Sequence, residues 1–199
     1  MKTTVRLMTI AATGLLCLAV YAQDKPAAKK KSTGSTAMPK PKPAPEMTEL
    51  RDMIGAFVSE AKFEPSPMMP GGDTSTGTAN ARFGPGGFSV LIDARSKSAT
   101  SGSFTGHGAW SWDPNEKAYK SVWLDSMTPG MISATGHKEG NNLVFTGEAI
   151  MMGKKISYKD VYSDRSPNSF KLTSYMNDGS GERLFATMKF TRQEAAPKQ

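Results

Sequence analysis

Gly102 to Asp125 reads GSFTGHGAWSWDPNEKAYKSVWLD, and the spacing within it decides the fold. Asp113-Pro114-Asn115 is turn chemistry: proline fixes φ and donates nothing to a ladder, while Asp and Asn bond their own turn backbone. On either side the residues alternate. Phe104, Trp110 and Trp112 share one face of the first segment and His107 lies on the other. In 116–126, Tyr119, Ser121, Trp123 and Asp125 share one face, with Lys120, Val122 and Leu124 opposite. Period two predicts two strands joined by a tight turn. An unpaired lysine is costly to bury, so the Lys120 face is expected to point outward and the Tyr119 face inward.

The same rhythm runs in both directions. Turn signals recur at Pro70-Gly71-Gly72-Asp73, Gly84-Pro85-Gly86-Gly87, Ser101-Gly102, Thr128-Pro129-Gly130, Gly140-Asn141-Asn142, Met152-Gly153-Lys154, Pro167-Asn168 and Asp178-Gly179-Ser180-Gly181. With the first turn these make nine separators, hence ten strands after Gly55. Phe88, Val90, Ile92 and Ala94 alternate, as do Leu184, Ala186, Met188 and Phe190. No connection is long enough for a crossover helix, so neighbours must pair antiparallel. Ten strands in an open sheet would leave sticky edges; closure removes them. Thr-Gly recurs away from turns at Thr76-Gly77, Thr105-Gly106, Thr135-Gly136 and Thr146-Gly147, where glycine permits the coiling a small barrel needs. Ahead of the strands, Met47, Leu50, Met53 and Ile54 have helical spacing after Pro45, and Glu46 and Glu49 suit a first turn. The expected fold is a ten-stranded antiparallel up-and-down barrel with one short N-terminal helix over Glu46–Ile54, able to lid one end.

Residues 1–22 have the three parts of a secretory leader: Lys2 and Arg6, an apolar run from Leu7 to Val20, and Val20-Tyr21-Ala22 before Gln23. The run is short for a bilayer span. The reading is a signal peptide cleaved near Ala22, and export to the periplasm or beyond. Residue 17 is the single cysteine; Leu16 before it departs from the small residue of a lipidation site, and the mature chain would carry no thiol. Residues 23–45 are Lys, Pro and Ala-rich and read as a disordered linker. The barrel domain spans 46–193, with 194–199 a tail. The formal charge of +7 sits ahead of the barrel, because residues 46–199 balance 17 basic against 17 acidic side chains. A neutral domain lacks the basic footprint of nucleic-acid binding.

Gly108-Ala109-Trp110-Ser111-Trp112-Asp113, Tyr119, Trp123-Leu124-Asp125-Ser126-Met127, Gly136 and Thr146-Gly147-Glu148, together with Gly86-Gly87-Phe88, resemble the bacterial DUF1579 family. The similarity covers about Leu50 to Arg192. Gly55-Ala56-Phe57 stands where the family has Gly-x-Trp, and Trp112-Asp113 where it has Tyr-Asp; both keep an aromatic. The resemblance implies a calycin or lipocalin-like barrel, related to fatty-acid-binding barrels, and supplies no catalytic residue. Haem-carrying barrels of that type place an axial histidine near the last strand, and Leu184–Arg192 contains none.

Little else suggests chemistry. The chain has two histidines, His107 mid-strand and His137 beside a turn. Neither has a companion ligand, so no metal or other cofactor is expected. No serine occupies a Gly-x-Ser-x-Gly elbow and no glycine loop precedes a helix to cradle phosphate. Asp125 and Asp160 share faces with aromatics and would serve either as an acid–base pair or, preferably, as a buried polar network. The methionines read as flexible core filler rather than copper ligands. What remains is an aromatic wall. Trp110, Tyr119, Trp123, Tyr158 and Tyr162, with Asp125 and Asp160 as polar points, would line a pocket for a small apolar or amphipathic ligand such as a fatty acid or small aromatic. The same side chains would equally fill a small barrel as plain core. No catalytic residue is assigned; the expected protein is a non-enzymatic binder, with a filled structural module as the alternative.

Overall fold

The computed structural model describes residues 38–67, 69–151 and 153–194. The expected leader and most of the expected linker lie outside the described residues, as does the tail beyond residue 194. Every turn signal separates two strands, and ten result: β1 Gly55–Phe63, β2 Asp73–Phe83, β3 Ser89–Ser98, β4 Gly102–Asp113, β5 Ala118–Asp125, β6 Ile132–Glu139, β7 Asn142–Met151, β8 Lys154–Ser163, β9 Ser169–Asn177 and β10 Glu182–Arg192. Each pairs antiparallel with the next, and β10 returns to β1 to close a barrel. The closing register runs from Phe57 opposite Arg192 to Phe63 opposite Ala186. The β6–β7 and β7–β8 connections are tight because Gly140 and Gly153 take φ of 60° and 77°, a region that side chains with a Cβ avoid.

Pairing fixes the faces. Trp110 lies opposite Ser121, Trp112 opposite Tyr119 and Gly108 opposite Trp123, so the Tyr119 face of β5 points inward. Lys120 is on the outer face, bonded to Glu116 and Thr135. Two local alternations depart from the sequence reading. Phe88 belongs to the short 3-10 turn Pro85–Gly87 as its cap and is 43% exposed, so β3 starts after it. In β10 a bulge between Leu184 and Ala186 inserts one unpaired residue. That reverses parity: Ala186 is fully buried while Leu184 faces out.

Ahead of β1, Pro45–Met53 forms a 3-10 helix that buries Met47, Leu50 and Met53. Steps of three residues on a three-residue turn align these side chains in one straight stripe. The stripe joins Phe57, Val90, Trp110 and Leu143 in the core cluster, closing the end of the barrel where β1 begins. Arg192 anchors this lid. Its guanidinium donates to the carbonyls of Ile54 at 2.7 Å, Asp52 at 3.1 Å and Pro167, and lies 4.7 Å over the Phe57 ring. Among the described residues no helix is long and apolar enough to cross a membrane.

Candidate functional site

The inner wall has two unlike halves. Toward the 3-10 helix it is filled: Trp110 packs on Phe145 and Tyr162 with ring centres 4.9 Å apart in each case, and Phe170 stacks on Phe190 at 4.5 Å. Tyr119 is 2% exposed and donates its hydroxyl to the Glu46 carbonyl at 2.9 Å, tying barrel to lid. Toward the opposite mouth the inward positions of β1, β2 and β3 include six small residues, Ser59, Ala61, Ser75, Ala79, Ala94 and Ser96, with Phe63 inward at the rim, its ring packed edge-on against Phe185 at 5.6 Å. None of the six is fully buried. These six cannot meet across the barrel by themselves, and the same half also receives Phe104 opposite Ser96, Met188 opposite Ala61 and buried Met176 opposite Tyr158.

The opposite wall of this mouth half carries Trp123 and Tyr158. The Trp123 ring lies flat across two glycines of the neighbouring strand: a Cβ at Gly106 would stand 2.3 Å from Cζ2, and one at Gly108 2.5 Å from Cε3. Tyr158 covers Gly147 in the same way, and its hydroxyl reaches the Ser133 carbonyl at 3.3 Å. Phe145 covers Gly136 in the filled half. The recurrent Thr-Gly steps therefore do more than let strands coil. At these three positions the glycine makes room for a cross-strand aromatic, which in turn covers the bare backbone.

The seven pocket residues expected from sequence all lie on the inner face, but they do not form one site. Trp110 and Tyr119 are in the buried core and Tyr162 and Tyr158 pack against it, Tyr158 on the side toward the mouth, while Trp123 and Asp125 lie in the mouth half and Asp160 between. The two carboxylates have separate partners. Asp125 Oδ1 accepts from the amides of Met127 at 2.8 Å and Thr128 at 2.6 Å, shaping the β5–β6 turn, and Oδ2 accepts from Trp123 Nε1 at 3.2 Å. Asp160 sits deeper, at the boundary of the halves, opposite Phe145 on one side and Ser174 on the other. Ser174 Oγ donates to its Oδ1 at 2.5 Å. Burial pushes the Asp160 carboxyl up from 3.8 to about 6, partly offset by that hydrogen bond. Burial, with the Asp160 charge acting the same way, raises Tyr158 to about 12 and holds the Tyr162 hydroxyl well above its ordinary value.

Sequence reading missed Asp73, which also turns into the mouth. It accepts from Ser98 at 2.5 Å and Ser101 at 2.6 Å, and these bonds hold its pKa low. Its signal was available: it opens a strand whose inner positions as far as Ala81 are otherwise Ser, Gly and Ala. Methionine was also misjudged in part, since Met127 and Met131 are not core filler but stand 60% and 62% exposed in the β5–β6 loop. His107 is on the outer face, 2.6 Å from Asp93, whose other oxygen takes Arg82 at 2.9 Å. His137 borders a cleft of about 470 Å³ between the lid and the barrel rim. One ion pair spans it, Lys138 on Glu49 at 2.7 Å. Among the described residues no three His, Cys, Asp or Glu side chains converge as a metal site.

A family model described as "Protein of unknown function (DUF1579)" matches residues 42–192. Nothing among curated proteins matches the chain. Two solved structures share the barrel at low identity. Rv2717c from M. tuberculosis is 10% identical, with TM-score 0.55, over 77% of this chain and all of that one. The S-type phycobiliprotein lyase CPES from Guillardia theta is 11% identical, with TM-score 0.51 over the same shares. Both likenesses concern the fold alone.

Proposed function

We propose, from the premise that this chain belongs to the DUF1579 family, that its barrel is a non-catalytic carrier of one small apolar or amphipathic molecule. The observation that carries this reading is the contrast between the two halves of the inner wall. Short side chains on β1, β2 and β3 share the mouth half with Trp123 and Tyr158, while aromatic rings pack closely against one another at the other end. A concave, largely apolar space with a few polar points is the usual form of a small-molecule site. Exposed Met127 and Met131 on a mouth loop add soft, adaptable apolar surface where such a molecule would pass. Against an acid–base pair of Asp125 and Asp160 stands their lack of a shared partner, since a turn takes up Asp125 while Asp160 accepts from Ser174 through one oxygen alone. The three-part leader at residues 1–22 supports the reading of an exported carrier, acting in the periplasm or outside the cell.

The test is titration with the neutral fluorophore N-phenyl-1-naphthylamine, with native mass spectrometry of the purified protein for a retained molecule. Saturable one-site binding is expected. Trp123→Ala should weaken it by about 2 kcal/mol, the scale of losing one aromatic's buried surface. No binding, together with a loss of about 3–5 kcal/mol of stability in Trp123→Ala, would show a filled structural barrel instead.

A further inference from the structure

Three carboxylates face into the mouth half, Asp73, Asp125 and Asp160, and none of them is in an ion pair among the described residues. The nearby cation on β10, Arg183, is already held by Asp178 at 3.0 Å. Asp73 and Asp125 are consumed by turns, their oxygens taken by hydroxyls, amides and the Trp123 indole. Asp160 is different. It stands in mid-strand, shapes no turn, and its only hydrogen bond among the described residues is the one from Ser174 to Oδ1. Oδ2 is left free, deep in the barrel yet not sealed from the space around it. A carboxylate removed from water without a cation beside it is expensive. Aromatic rings flank it on its own strand, Tyr158 toward the mouth and Tyr162 toward the core, and ring faces attract cations.

We infer that the molecule held in the barrel carries a cationic head, an amine or quaternary ammonium, seated against Asp160 Oδ2 with its apolar part running along Tyr158 and Trp123 to the mouth. This rests on the binding reading above and deepens it, because the same space would repel the carboxylate of a fatty acid. A head with N–H bonds would supply the partner that Oδ2 lacks, in a setting where a charge-assisted bond is at its strongest.

Three ligands of one chain length separate the possibilities: decylamine, decanol and decanoate, measured by calorimetry on the purified protein at about pH 8, where the buried carboxyl is ionised. The expected order is amine tightest, with decanoate weaker than decylamine by tenfold or more. Asp160→Asn should abolish that preference while leaving decanol binding within about threefold, since its apolar contacts are untouched. If decanol binds saturably but decanoate matches or beats the amine, the cationic assignment fails and the binding reading survives. If the amine preference persists in Asp160→Asn, Asp160 is not the seat of the charge and the inference is likewise overturned. If none of the three binds, both readings fall.

Discussion

Asp160→Asn should make the ligand-free protein more stable, and the sign depends on pH. Burial raises the Asp160 pKa from 3.8 to about 6 in the folded barrel. Below the unfolded value both states hold the proton and burial costs nothing through this group. As pH rises through the interval between the two values, the unfolded chain ionises first, so the folded state loses ground until about pH 6 and no more beyond it. At 1.36 kcal/mol for each pH unit, the full penalty is about 3 kcal/mol. Asparagine removes that penalty and can still accept from Ser174, whose bond to the charged carboxylate is already counted within the shift. The net expectation is a gain of about 3 kcal/mol at pH 8, fading to nothing by about pH 4. Urea unfolding followed by far-ultraviolet circular dichroism at the two pH values measures it. A variant less stable than the parent at the higher pH, or a gain that is the same at both, would refute the argument that the carboxylate is held at a desolvation cost.

Gly108→Ala would drive a Cβ to 2.5 Å from the Trp123 ring and should cost about 1–3 kcal/mol with a change in tryptophan emission. Gly71→Ala meets nothing within 4 Å and should stay within about 0.5 kcal/mol of the parent, so equal losses would dismiss the ring-bed explanation. Arg192→Met keeps an unbranched stem but removes donors to Asp52, Ile54 and Pro167; unfolding should show a loss of about 2–4 kcal/mol, with faster tryptic cutting at exposed Arg51 as the lid loosens. Intact mass of protein recovered from the periplasm should place its first residue near Gln23; a mass that retains Met1 would remove the export reading.

Strand number, antiparallel order and closure were legible because turn chemistry is local: Pro, Gly, Asn and Asp mark each reversal within a few residues. Face assignment was legible where one charge broke the tie, as Lys120 did for β5. It failed at Leu184 because a bulge is set by the partner strand, and nothing within Leu184 to Phe190 announces an unpaired residue at 185. The pocket was only half legible for a related reason. That Trp110 and Trp123 both point inward follows from alternation, but their depth depends on how strands stagger around the barrel, and only that stagger puts one in the filled core and the other over Gly106 and Gly108. Likewise the aromatic company of Asp125 and Asp160 was visible, whereas the commitment of Asp125 to the turn at Met127 and Thr128 was not.

The seam between β1 and β10 has a consequence for how the molecule comes into being. Phe57 finds its partner in Arg192, so the barrel cannot shut until β10 has been synthesised. Until then β1 offers an unpaired edge and the aromatic interior lies open. Contacts this distant in sequence also make for slow folding. The same delay is a hazard, because any truncation before β10 leaves an open sheet whose β1 and β9 edges are ready to pair with another copy.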